Sequence, residues 1–354
     1  MDHADHPPHS WHHLQATEAV RVSTPTPSGV DNAPGLMTGQ RYRTVVWSVM
    51  LAATGYLGFV LWSGWRGVAT AVAQVGTLGV VVALLLSLVN YGLRFIRWQM
   101  YLRTMGHPVP WRESLKIYVA GFALTTTPGK AGEAMRGVLL KARGVPYPTS
   151  FAAFLSERLS DLLAVVVLTL LGLTTHHSSR PLILAGLLAL AAVFVILSSE
   201  RLLKNLHDAI RGTSRLPTMA RHLFEVLLEA RRCQSPMLLS AATGLSLVAW
   251  AAEAWAFHLL LQWMGLRTSL SFAAFTYAIS MLAGALSFMP GGLGGTEAVM
   301  MGLLLANGAS TVERVAATVL IRVTTLWFAV TLGAAALLLS TRATLLRSPW
   351  KGRS

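Results

Sequence analysis

The sequence predicts an all-α, polytopic transmembrane helical bundle with two inverted repeats, each containing a re-entrant hairpin broken at Pro-Gly. Three observations lead there. Of 354 residues, 53% are hydrophobic and 12% charged, with mean hydropathy +0.53, too little charge for a soluble domain of this length. Several apolar runs reach the roughly 20 residues that a helix needs to cross hydrocarbon, without the short alternating segments of a barrel. The chain also repeats itself. Leu102, Met105, Gly106, Pro128, Gly129, Gly132, Glu133 and Arg158 recur in the same order as Leu261, Met264, Gly265, Pro290, Gly291, Gly294, Glu297 and Arg322. The offset is 159 residues at Met-Gly, 162 at Pro-Gly and 164 at Arg, and order and spacing that persist together mark an internal duplication.

Residues 1–40 are rich in Pro, Ser, Thr and His and lack an apolar core, so they read as a disordered cytoplasmic tail rather than a signal peptide. Its His3, His6, His9, His12 and His13 have irregular spacing and no Cys partners, which does not make a metal site. A single transmembrane domain follows over 41–345, with a basic tail at 346–354. Its continuous apolar spans are 44–62, 74–93, 150–173, 181–198, 238–263 and 312–340, six crossings. Repeat one covers about 74–175 and repeat two about 238–340. Between spans two and three, 114–127 ends at Thr127-Pro128-Gly129, and the amphipathic 132–142 follows. The second copy gives 271–289, the break Pro290-Gly291-Gly292-Leu293-Gly294-Gly295 and a short helix to Ala306. Proline and glycine end the first half-helix of each hairpin.

Basic residues set the orientation. Arg41 and Arg43, the nine Lys and Arg from Arg94 to Arg143, the segment 199–237, and Arg342 to Arg353 fall on one side, while Arg66, Arg180, Arg267 and Arg314 fall on the other. The termini are therefore expected in the cytoplasm, at a bacterial-type inner (plasma) membrane. The net charge of +14 is explained by these loops and anionic lipid, and nucleic acid is not an expected partner. Span two then runs inward and its equivalent, span five, outward, so the duplication is inverted and the two hairpins meet near its axis, as in transporters built from such repeats.

Irregular backbone at membrane depth has to be buried in protein or line a wet cavity. The helix restarts near Gly132 and Thr296 offer free amides and a positive dipole end to a phosphate or carboxylate. Pro128, Gly129, Gly132, Pro290, Gly291 and Gly294 therefore belong to the candidate substrate site, although such glycines also serve packing alone. Arg322, deep in span six, is expected to face inward, either toward a lipid phosphate or in an ion pair with Glu297 or Glu253. Arg158, with Glu157 and Asp161 on one helix face, makes either a headgroup contact or a local salt-bridge cluster. Glu133 and Glu297 either cap their own helices or select a headgroup. Glu253 and His258 in span five are candidates for carrying a proton. Arg94 and Arg97 are expected to snorkel to the inner interface, and Trp62, Trp65, Trp98 and Trp111 to act as interfacial anchors. No catalytic motif, cofactor fingerprint or metal-ligand set is present in the sequence, and one cysteine, Cys233, excludes an internal disulfide.

With Pro290 to Glu297, Arg322 and the segment Glu157-Arg158-Leu159-Ser160-Asp161 in view, the chain resembles the lysylphosphatidylglycerol synthase transmembrane-region family over about residues 44–340. The resemblance implies an inner-membrane protein that moves or handles lipids, such as aminoacylated phosphatidylglycerol, hopanoids or lipid-linked sugars. The sequence shows no large soluble aminoacyl-transfer domain, so the translocation part is expected here rather than synthesis. The expected partners are lipid headgroups and a separately encoded lipid-modifying enzyme. The competing expectation is an enzyme or scaffold in lipid or polyprenyl-linked glycan modification.

Overall fold

The computed structural model describes residues 40–126, 131–172, 205, 215–287 and 289–347, and among them every regular element is helical. The expected tail 1–40 but for its last residue, Pro128, Gly129, Arg180, span 181–198, the basic stretch 199–214 apart from residue 205, and residues 348–354 lie outside the described residues.

The longest apolar stretch folds as one helix, α1, over Gln40–Thr104, joining predicted spans 44–62 and 74–93 where a loop holding Arg66 was expected. No proline separates those spans, and Val68 to Ala73 continues the helix, with the Thr70 hydroxyl donating to the Arg66 carbonyl at 3.0 Å. Its 65 residues would extend about 100 Å if straight, far beyond the roughly 30 Å of hydrocarbon. Gly76 interrupts it at φ +67°, a conformation that glycine adopts without steric cost. The membrane-length part is Trp65–Thr104, and Leu78, Val81, Leu85 and Val89 on it are exposed.

After α1 come α2 (Trp111–Phe122), α3 (Ala131–Lys141), α4 (Tyr147–Gly172), α5 (Arg215–Arg231), α6 (Pro236–Trp263), α7 (Leu270–Leu286), α8 (Gly295–Ala306), α9 (Thr311–Arg322) and α10 (Phe328–Arg347). A wide π turn, Val323–Trp327, joins the last two into one run. Three helical runs are long and apolar enough to cross a membrane: Trp65–Thr104, Pro236–Trp263 and Thr311–Leu339. Helix α4 has the length but carries Glu157, Arg158 and Asp161.

The two copies end their helices with the same hydrogen bonds. At the end of α1 the N–H groups of Met105 and His107 bond the carbonyls of Tyr101 and Leu102, and at the end of α6 those of Met264 and Leu266 bond Leu260 and Leu261. Gly106 at φ +80° and Gly265 at φ +83° make both turns possible. Packing is reciprocal as well. Helix α1 lies against α6, α4 against α6 and α7, and, in return, α9 against α1 and α10 against α2. The Asn90 side chain donates to the Ala249 carbonyl at 2.9 Å, and these two residues are separated by the repeat offset, 159. Tyr91 donates to the Thr325 carbonyl, while its equivalent, Trp250, donates to Asp161 at 3.0 Å.

Candidate functional site

The second break is held by glycine geometry and one ion pair. After α7, Pro290–Gly292 makes a single tight turn, and Gly291, Gly292 and Gly294 have φ of +62°, +68° and +87°. Such values leave the break no other ordinary residue. Gly284 lets the chain fold back onto α7, since a Cβ there would lie 2.0 Å from the Thr296 hydroxyl. The Glu297 carboxylate accepts the Gly294 N–H at 2.6 Å and meets Arg322 Nε at 2.7 Å, while Arg322 Nη2 donates to the Gly291 carbonyl at 2.7 Å. Both side chains are buried, with 3% of Arg322 and 4% of Glu297 exposed. Of the two expectations for Arg322, the ion pair with Glu297 is the one present. The chain just beyond α2 reaches the same place. A Cβ on Gly291 would meet Thr126 and Leu326 at 3.4 Å, and Thr126 lies just past the end of α2.

The second cluster lies in the first half, and sequence reasoning found only part of it. Glu157 and Asp161, one helical turn apart on α4, face α1 and α3. Arg97 meets Asp161 at 2.6 Å and Glu157 at 3.6 Å, Arg94 meets Asp161 at 3.2 Å, Arg136 meets Glu157 at 3.0 Å and Arg158 meets Asp161 at 3.3 Å. Arg97, 0% exposed, also donates to the Ser246 hydroxyl. Arg136 lies over Tyr118 at 4.6 Å and Trp98 at 5.3 Å, and Arg94 over Trp250 at 5.6 Å, contacts that favour a cation. Among the described residues, four guanidinium groups thus gather around two carboxylates. Arg94 Nε and Arg97 Nε and Nη2 are buried without a hydrogen-bond acceptor.

The expectations for Arg94, Arg97 and Trp98 are corrected, while Arg158 takes one of its two expected places. Arg94 and Arg97 do not snorkel: charges directly after an apolar span look like an interfacial collar, but here α4 offers them two carboxylates. Trp98 is buried and donates to Ser114 at 3.3 Å, whereas Trp65 and Trp111 are half-exposed. Arg158 is a member of the salt-bridge cluster at its more exposed edge. Gly132 and Glu133 fall in the first turn of α3. Glu253 is buried in α6 and accepts the Tyr277 hydroxyl at 2.6 Å. His258 is partly exposed further along α6. Among the described residues no group of His, Cys, Asp and Glu side chains could hold a metal ion. Outside the spans, burial pushes the Cys233 thiol up to about 11.

The model of the lysylphosphatidylglycerol synthase TM region matches residues 45–333, a stretch that contains both clusters. The chain belongs to the lysylphosphatidylglycerol synthase transmembrane-region family. Among its relatives in that family's range, a UPF0104 membrane protein of Pyrococcus horikoshii is 23% identical over 80% of this chain and 94% of its own length. A UPF0104 membrane protein of Methanothermobacter thermautotrophicus is 25% identical over 78% and 88%. A shorter likeness links the chain to the glycosyltransferase AglD of Haloferax volcanii, 34% identical over 24% of this chain and 14% of that protein. For this member of the lysylphosphatidylglycerol synthase transmembrane-region family, the spacing of Arg94 and Arg97 at i, i+3 opposite Glu157 and Asp161 at i, i+4 was the one sequence signal for the missed contacts.

Proposed function

We propose that the protein is a lipid transporter that moves an anionic or modified lipid, of the aminoacyl-phospholipid, hopanoid or lipid-linked sugar type, between membrane leaflets. Its two copies form inverted repeats, each with a re-entrant hairpin, and the basic segments after α1 and around α5 face the cytoplasm of an inner (plasma) membrane. The observation that carries this reading is the gathering of four arginines around the buried Glu157 and Asp161. Ionisable groups at membrane depth are costly and mark ligand pathways by default, and a cluster rich in guanidinium groups is a complement to a phosphate diester or a larger anionic headgroup. Arg322, next to the meeting point of the hairpins, is the second contact, reached when the headgroup replaces Glu297 as its partner.

The decisive experiment uses purified protein in vesicles of phosphatidylcholine and phosphatidylglycerol containing a fluorescent phosphatidylglycerol, whose outer-leaflet fraction is read by chemical quenching. Wild type should move the probe between leaflets, and Arg322→Ala should slow that movement by about tenfold or more, the effect of losing roughly 1.4 kcal/mol from a charged contact. Lipid movement that is absent, or unaffected by the substitution, overturns the proposal.

The likeness to a glycosyltransferase favours one alternative, a part in polyprenyl-linked glycan modification beside a separately encoded enzyme. A covalent change in lipid extracted after incubation with the purified protein alone would establish an enzyme instead of a transporter.

A further inference from the structure

Glu253 has an environment unlike that of any other acid described above. It is the one Asp, Glu, Lys or Arg in the whole of α6, it is 5% exposed, and among the described residues it takes part in no ion pair. Its hydrogen bond is the one accepted from Tyr277 on α7. A carboxylate held in a bundle interior by one phenol, without a cation, is far less stable than the neutral acid. The cations in its surroundings are committed elsewhere: Arg94 of α1 is bound to Asp161, and Arg322 at the end of α9 is bound to Glu297. The other ionisable groups that face it are Tyr91 of α1, Asp161 of α4 and Tyr277.

We infer that Glu253 carries a proton that couples the working cycle of this transporter to the proton gradient across the membrane. The inference rests on the lipid-transport reading. A proton from one aqueous side adds to a Glu253 carboxylate oxygen and leaves to the other side, one per cycle, with no other bond made or broken. The coupling follows from position. When Glu253 ionises, it competes with Asp161 for Arg94 and with Glu297 for Arg322, so proton loss loosens both clusters at once. When it is neutral, both arginines stay with their partners. The equivalent residue in the first copy is Arg94 itself, so the acid and one of the cations it competes for occupy matching places in the two halves.

Two readouts test this, and the first does not depend on transport. Infrared difference spectra of the full chain in phosphatidylglycerol nanodiscs at neutral pH should contain the C=O stretch of a protonated carboxyl. That band should disappear in Glu253→Gln and shift in Tyr277→Phe, which keeps the acid but removes its donor. An unchanged band in Glu253→Gln overturns the inference. In the vesicle assay, imposing a gradient of one pH unit should alter the rate of wild-type lipid movement, by up to about tenfold at full coupling of one proton. Glu253→Gln should move lipid at a rate indifferent to the gradient, and a variant that keeps the wild-type response overturns the inference. Lipid movement absent from wild type with the band in place would instead sink the transport reading.

Discussion

At matching positions the first half of the molecule has Arg94 where the second has Glu253, and Tyr118 beneath a guanidinium where the second has Tyr277 donating to a carboxyl. Backbone features agree closely across the same halves: the glycine turns after α1 and α6 share their hydrogen bonds, and Tyr91 and Trp250 each reach the closing helix of the other copy. Helix ends and packing correspond across the two halves, while the charges do not. Among the described residues, one half gathers four arginines around two acids, whereas the other pairs Arg322 with Glu297 and holds Glu253 outside any ion pair. Equivalent charge would serve a symmetric channel lining, but unequal charge gives the halves different tasks.

The largest break in that comparison comes from Arg97. Replacing it with Met removes the fully buried member of the cluster, but Asp161 keeps Arg94 and Arg158 and Glu157 keeps Arg136, so the cost is expected at the lower end of the about 3–5 kcal/mol seen when one partner of a buried pair is lost. Thermal unfolding in nanodiscs should register a large fall for Arg97→Met. Partial recovery in the double variant Arg97→Met, Asp161→Asn would show that the weakened pairing of Asp161 is responsible, and an unaltered melting profile for the single variant would remove Arg97 from the stability of the first half.

A smaller difference is expected at Gly333. In α10 it lies so close to α2 that a Cβ would sit 2.2 Å from the Ala123 nitrogen, while Thr169, its equivalent in α4, turns its hydroxyl back to the Val165 carbonyl at 2.7 Å. Gly333→Ala should cost about 1–3 kcal/mol through overpacking, whereas Gly92→Ala in α1, with open space around it, should be neutral or slightly stabilising. Equal melting temperatures for the two variants would contradict the close approach of α10 to α2.

The finest test uses the reciprocal hydrogen bonds. Tyr91→Phe removes a donor from the Thr325 carbonyl in the π turn, and the expected loss is about 1 kcal/mol. Trp250→Phe should cost no more, because Asp161 keeps Arg94 and Arg97. A much larger effect at Trp250 would mean that the indole, rather than the arginines, holds Asp161 in place.

Much of this arrangement was legible in the sequence because it is local. Pro-Gly punctuation placed the end of α7 and the starts of α3 and α8 within a few residues, and span 238–263 stops where α6 does, whereas span 74–93 stops short of the end of α1 at Thr104. The pairing of Arg322 with Glu297 was foreseen as one of two expectations, since both stand at matching places beside the break. The partners of Arg94, Arg97 and Arg136 were not, because they come from α4, far along the chain, and a charge next to an apolar run reads the same whether it meets water or a buried acid. The continuity of α1 was missed for the opposite reason. The gap between spans 44–62 and 74–93, with Arg66 in it, read as a loop, but without proline nothing in the backbone forced one, and the interruption came later at Gly76.

The bond from Arg322 to Gly291 ends on a main-chain oxygen. Every amino acid supplies that oxygen, so no exchange of side chain at 291 can delete the acceptor. What such an exchange alters is whether the peptide can keep φ at +62° between Thr126 and Leu326. Drift at the tip is therefore policed by shape alone, and variants there should fail by misdirecting a carbonyl rather than by losing a chemical group.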